Sequence, residues 1–358
     1  MPVLDLSATS LDLTRALCDI PSVSGDETAL ADAVHAAVQG LDHLSVHRDG
    51  DTIVARTDRS RPQRVVIAGH IDTVPINANV PSRLVTEDAG AYLWGRGTVD
   101  MKAGVAVQLK LAAELTDPRI DVTWMWYDHE EVAADLNGLH RLAQNRPDLF
   151  AADFAILGEP SDGEVEGGCN GTLRVVVRTT GVRAHSARAW IGENAIHKAA
   201  PILQRLAEYR PREVAVEGLV YREGLNAVRI AGGVASNVIP DACEVEVNYR
   251  FAPSHTVAEA LEHVRNVFAG FEVEQVDASA GARPGLDAPL AQEFLAAVGA
   301  RPRPKYGWTD VARFSALGIP AVNYGPGDPH LAHHDQERVP VAQIAAVEAG
   351  LRAWLSPS

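Results

Sequence analysis

Five short segments put acids and imidazoles directly after apolar runs. In Val65-Val-Ile-Ala-Gly-His70-Ile-Asp72 the histidine and aspartate are two residues apart. Residues i and i+2 of an extended chain face the same side, so His70 and Asp72 can point into one cleft. There a carboxylate would fix the tautomer of a metal-bound imidazole, although a surface or capping pair has the same spacing. Gly95-Arg-Gly97-Thr-Val-Asp100-Met-Lys-Ala-Gly104 sets Asp100 just before a helical pattern, as a ligand or as an N-cap. It is no phosphate loop, because GxxxxGK[ST] does not occur in it. Asp128-His129-Glu130-Glu131 ends a run containing Trp124, Trp126 and Tyr127. Adjacent acids at the end of a buried strand repel unless a cation is close, the alternative being a solvated turn. Gly158-Glu159-Pro160 follows another apolar run, and His330-Leu-Ala-His333-His334-Asp335-Gln-Glu337 gathers three histidines in a polar stretch.

Each segment has an ordinary structural explanation when taken alone. Together they lie at the ends of four apolar strands, where an open α/β sheet places its ligand crevice. Oxygen and nitrogen donors without cysteine suit a catalytic zinc site better than a closed structural one.

The elements that must position these groups follow from periodicity. Short β-rich runs occur at 52–56, 64–68, 122–127 and 154–157, and those at 64–68 and 154–157 lack alternation, as strands covered on both faces do. Ser24-Gly25-Asp26-Glu27 predicts a capping box opening a helix to about Gly40. Further helices are expected over 105–115 and 135–144. The order points to an α/β layer structure with a mostly parallel or mixed sheet. After about Gly171 the pattern changes to a strand at 173–179, a helix at 195–209, strands at 227–231 and 243–249, a helix opened by Thr256-Val-Ala-Glu259, and a strand at 271–276. That β-α-β-β-α-β order is the split unit of ferredoxin-like folds. Helices at 289–298, 311–316 and 341–355 and a strand at 321–324 return to the first type of structure. The expected division is therefore 1–172, 173–284 and 285–358, one α/β domain interrupted by a smaller α+β insert.

Composition narrows the class. The chain of 358 residues carries 32 basic and 47 acidic side chains, a net charge of −15, which disfavours binding to nucleic acid or an anionic membrane. Cys18, Cys169 and Cys243 are scattered and form neither a disulfide framework nor a CxxC site. Asp5 and Asp12 interrupt any apolar stretch after Met1, so no signal peptide is expected, and no run approaches the ~18 apolar residues of a membrane span. The expected location is the cytoplasm.

The set HxD, GRGxxDMKAG, HEE, GEP and a late HxxxE resembles the two-zinc amidohydrolase and exopeptidase family over nearly the whole chain. That resemblance implies a mixed-sheet, zinc-exopeptidase-like catalytic domain with a ferredoxin-like lid and dimerisation insert. It implies two Zn²⁺ per subunit, with Co²⁺ or Mn²⁺ as substitutes. One ion would be held by His70, Asp100 and Glu159, the other by Asp100, Glu131 and His333. Asp72 would orient His70, and Glu130 would be the general base. His333 is preferred over His330 and His334 because the family's ligand precedes a glutamate by four residues, here Glu337. Three carboxylates against four metal charges leave a residual positive charge, which lowers the pKa of a bound water. By the same likeness His185, in Gly181-Val-Arg-Ala-His185-Ser186, would reach the partner's site in a homodimer and stabilise the oxyanion.

The expected substrate is a small acylated amino acid. Arg250 could grip a carboxylate with its fork, while Asn237 and Thr309 match substrate-contacting turns of the family. The desuccinylase branch is the most similar, which implies hydrolysis of N-succinyl-LL-2,6-diaminopimelate in diaminopimelate and lysine biosynthesis. An acetylornithine deacetylase, an aminoacylase or dipeptidase, and a non-catalytic metal-binding protein are the alternatives. One departure stands out, since Cys169-Asn170 occupies the place of an arginine pair. Arg174, Arg183 and Arg188 are the candidates to replace it.

Overall fold

The computed structural model describes residues 2–357. The apolar runs that lack alternation form the centre of an eight-stranded mixed sheet. Arg64–His70 pairs in parallel with Asp121–Tyr127 on one side and with Phe154–Leu157 on the other. Ala321–Asn323 continues the parallel set beyond Phe154–Leu157. Thr52–Arg56 and then Ser45–Asp49 extend the opposite edge antiparallel. Asp121–Tyr127 and Phe154–Leu157 are buried along their whole length, which removes any need for a polar face.

Helices Ser10–Cys18, Lys102–Glu114, Pro289–Val298 and Val341–Leu355 pack on one another, and Thr28–Gln39 packs on the strands Ser45–Asp49 and Thr52–Arg56. Lys102–Glu114 is buried on nearly all sides and approaches the sheet so closely that a Cβ on Gly104 would lie 2.3 Å from the Gly158 carbonyl oxygen.

The chain divides into two compact units. The first comprises 1–167, 285–303 and 313–358, and the second 168–284 and 304–312. In the second, Gly224–Gly232, Ala242–Phe251, Gly171–Thr180 and Glu272–Ser279 lie side by side in that order, each antiparallel to its neighbour. Ala195, Ala199 and Ile202 from two short successive helices and Ala260 and Val264 from Val257–Val267 join Leu173, Val175, Val177, Val245 and Val247 in a single core. The opposite face carries ion pairs, Arg178 with Glu244 and Glu274 and Arg174 with Glu246.

Several local expectations change. The boundary expected at 173 lies at Gly168, with the strand starting at Gly171, and 304–312 belongs to the second unit. The capping box at Ser24 does not form, because the Ser24 hydroxyl donates to Asp72 Oδ2 at 2.6 Å and the helix starts at Thr28. The capping box at Thr256 and Glu259 is present. The helix expected over 195–209 is two, Ala195–Lys198 and Ala200–Glu208, with Pro201 in the first turn of the second, where its missing N–H costs nothing. Two hairpins, Arg83–Glu87 with Gly90–Trp94 and Glu213–Val216 with Leu219–Arg222, were not expected.

Candidate metal centre

Three parallel strands end side by side, and their register brings the chemistry-bearing residues together. His70 lies opposite Tyr127, immediately before Asp128–Glu131, and Ala68 lies opposite Leu157, two residues before Glu159. Asp100 arrives from the turn preceding Lys102–Glu114. Its side chain does not cap that helix; Met101 is the N-cap and the Asp100–Met101 peptide is cis. Instead Asp100 lies between two imidazoles. Oδ1 is 2.9 Å from His70 Nε2 and Oδ2 is 3.2 Å from His333 Nε2. His333 Nε2 is also 3.0 Å from Glu131 Oε2. Ligand atoms of His70, Asp100 and Glu131 all lie within 4.8 Å of one another. Glu159 is buried at the neighbouring strand end.

The carboxylate of Asp72 organises the surroundings. It accepts the N–H groups of Glu130 and Glu131 at 3.0 Å each, and its backbone carbonyl and Oδ1 lie 3.0 and 3.4 Å from His70 Nδ1. One aspartate thus holds the imidazole and the Glu130–Glu131 turn in register. Of the other late histidines, His330 is bound to Asp328 and His334 Nδ1 accepts the Gln336 N–H.

Charge accounts for the titration of the cluster. Burial opposes the charged form of His70, yet Asp100 and Asp72 hold its pKa well above the usual range. Hydrogen bonds donated by the ring to Asp100 and then to Glu131 push His333 up to about 10. Burial would raise Asp100, but His333 and His70 keep it well below ordinary carboxylates. The donor set fits divalent cations: two imidazoles, several carboxylates, no thiolate, and a buried Glu131 Oε1 with no hydrogen-bond partner.

Sequence reasoning used Glu337 only as a marker for His333 and gave Arg96 no role. Both are buried, and Glu337 Oε2 accepts from Arg96 Nη1 at 2.8 Å while Oε1 accepts the N–H groups of Val99 and Asp100. A buried, self-paired Arg/Glu couple is invisible without knowing which loops meet. Glu27, expected only as a capping-box residue, is buried and accepts the His129 N–H at 3.2 Å.

His185, Asn237, Arg250 and Thr309 all belong to the second unit. His185 is exposed, its Nδ1 accepts the Ala187 N–H, and Ala184-His185 pairs with Val238–Ile239, next to Asn237. Asn237 donates no side-chain bond there; its carbonyl accepts the Ser186 N–H at 2.8 Å. Arg250 is half-buried, with Nε bound to Asn248 Oδ1 and no carboxylate within ion-pair distance among the described residues. Thr309 is buried and its carbonyl lies 3.7 Å from Cys169 Sγ. Of the candidate replacement arginines, Arg174 pairs with Glu246 and Asp277 and Arg183 with Asp241, which leaves Arg188 without an acidic partner among the described residues.

A mixed sheet with imidazoles and carboxylates gathered at its strand ends defines a metallohydrolase, and residues 66–356 match peptidase family M20/M25/M40, to which the chain belongs. It is 54% identical over 356 residues to the DapE protein of Mycobacterium tuberculosis, covering 99% of each chain. It is 47% identical over 366 residues to the succinyl-diaminopimelate desuccinylase of Corynebacterium glutamicum, covering 99% of this chain and 98% of that one. The fold is similar to the crystal structure of a tripeptidase from Staphylococcus aureus, with a TM-score of 0.77 at 20% identity and coverage of 99% and 98%. The chain is a metal-dependent hydrolase.

Proposed function

We propose that this chain hydrolyses N-succinyl-LL-2,6-diaminopimelate to succinate and LL-2,6-diaminopimelate, a step of diaminopimelate and lysine biosynthesis. The observation that carries the proposal is the full-length likeness to a desuccinylase at 47% identity in a chain whose Asp100 lies between two imidazoles.

His70, Asp100 and Glu159 would hold one cation and Asp100, Glu131 and His333 the other, with zinc the preferred metal for this nitrogen and oxygen set. When bound, the cations polarise the amide carbonyl and acidify the attacking water. Glu130 accepts the proton of the water as its oxygen bonds to the amide carbon, and then delivers that proton to the nitrogen, so that the C–N bond breaks after the C–O bond has formed and the amine leaves neutral. Asp72, in contact with His70 Nδ1, would keep the ring in the tautomer that leaves Nε2 free to ligate. Arg250, half-buried and without an acidic partner, is suited to a substrate carboxylate, and Asn237 and Thr309 complete the recognition surface.

The second unit acts as a ferredoxin-like lid and dimerisation domain. His185 serves the partner's oxyanion in a homodimer. Exposed apolar side chains on this unit support pairing, Trp190 at 79%, Val234 at 68% and Ile191 at 62%. Three unpaired buried cysteines suit a reducing cytoplasm. No helix among the described residues is long and apolar enough to cross a membrane.

The test compares turnover of N-succinyl-LL-2,6-diaminopimelate and N-acetylornithine by the zinc-loaded protein. Preference for the succinyl substrate is expected; preference for N-acetylornithine would replace this function by deacetylation.

A further inference from the structure

Arg96 and Glu337 are 4% and 1% exposed, 241 residues apart in sequence, and joined at 2.8 Å. Burying an ion pair yields little net stability, because desolvation of both groups offsets their attraction. This pair also sits close to Asp100, so a second buried carboxylate adds repulsion exactly where the site already concentrates negative charge. Stability alone gives no reason for that placement.

The hydrogen bonds supply one. Glu337 Oε1 accepts the N–H groups of Val99 at 2.9 Å and Asp100 at 3.1 Å. Its backbone carbonyl accepts the Gly95 N–H at 3.1 Å, and its own N–H donates to the His334 carbonyl at 3.1 Å. A single glutamate therefore ties the turn that presents Asp100 to the loop that presents His333. That turn contains Gly95 at φ +152° and Gly97 at φ +79°, a backbone free to wander unless held. Arg96 neutralises the clamp and fixes its second oxygen.

We propose that Arg96 and Glu337 are positioning residues that hold Asp100 and His333 in the geometry needed to share cations, which explains the arginine of the GRGxxDMKAG segment. This inference rests on the two-cation reading above.

The experiment titrates metal-free wild-type, Glu337→Gln and Arg96→Lys proteins with Co²⁺, following uptake by calorimetry and the visible absorption of the bound ion. Circular dichroism and thermal melting report folding. In Glu337→Gln the new amide turns an N–H₂ toward Arg96, while Arg96→Lys keeps the charge and loses the planar fork. Both variants are expected to bind Co²⁺ about 10- to 100-fold more weakly and to shift its absorption, as loss of groups orienting metal ligands does. Their kcat should fall while KM changes little. A folded variant that takes up cobalt with wild-type affinity and spectrum overturns the inference. If Glu337→Gln does not fold, Arg96→Lys decides the matter on the same readouts. Fewer than two ions in the wild-type protein would overturn the two-cation reading instead, and the affinity for the single ion would then test the clamp.

Discussion

Asp100 turns one oxygen to His70 and the other to His333, and both rings carry raised pKa values because carboxylates surround them. Protons and divalent ions therefore compete for the same atoms. A metal entering beside His333 must displace a proton held up to about pH 10, so uptake releases protons and affinity falls as the pH falls. Calorimetry in buffers of contrasting protonation enthalpy should record that release, and an affinity independent of pH would contradict it. Glu130 is proposed as the general base rather than as a ligand. Glu130→Gln should keep the metal content and lower kcat by about 10²- to 10⁴-fold, the usual contribution of general acid–base catalysis. Unchanged turnover would remove Glu130 from the chemistry. His70, Glu131 and Glu159 stood out in the sequence because each lies just past an apolar run, whereas Asp100 sits in a glycine-rich turn and His333 in a polar stretch. Periodicity could not choose among His330, His333 and His334, since a polar loop has none to orient its side chains; the preference for His333 came from the family's spacing to Glu337. His333 reaches Asp100 through a backbone at φ +63°, a conformation that spacing does not reveal.

Elements were legible where burial is one-sided or complete. Pro289–Val298, Val311–Ala316 and Val341–Leu355 match their expected limits, and the doubly buried strands match their lack of alternation. The failures have local causes. Ser24 has the spacing of a capping box, but its hydroxyl is committed to Asp72, a partner 48 residues away. The hairpin Glu213–Val216 to Leu219–Arg222 turns through Glu217 at φ +48° and Gly218 at φ +84°. Glutamate is a poor signal for a position that usually selects Asn, Asp or Gly, so the turn escaped notice. The helix Lys102–Glu114 depends on Gly104 to approach the strand end that bears Glu159. Gly104→Ala would place a methyl 2.3 Å from a backbone oxygen that cannot swing aside. The expected cost is about 1–3 kcal/mol from overpacking, with a lower melting temperature and weakened metal retention. An unchanged melting temperature would show that the helix can shift freely.

Across the whole molecule, a net charge of −15 repels an anionic substrate at long range, so attraction has to come from cations and arginines within about 8 Å, the screening length at physiological salt. Arg250, which has no carboxylate within ion-pair distance among the described residues, is the arginine proposed for that role. Domain limits were harder to read because 304–312 belongs to the second unit although its sequence neighbours belong to the first. Such an exchange leaves no mark in local composition. If His185 works across a homodimer, sedimentation should give twice the chain mass. Trp190→Glu should then yield monomers with reduced turnover. A wild-type chain that is monomeric yet fully active would exclude the role assigned to His185.

The shared aspartate is tested most directly by diffraction from zinc-loaded crystals at the zinc absorption edge. Two anomalous peaks are expected, one on each side of Asp100, with His70 and Glu159 at the first and His333 and Glu131 at the second. A single ion, or two ions without Asp100 between them, would contradict the account.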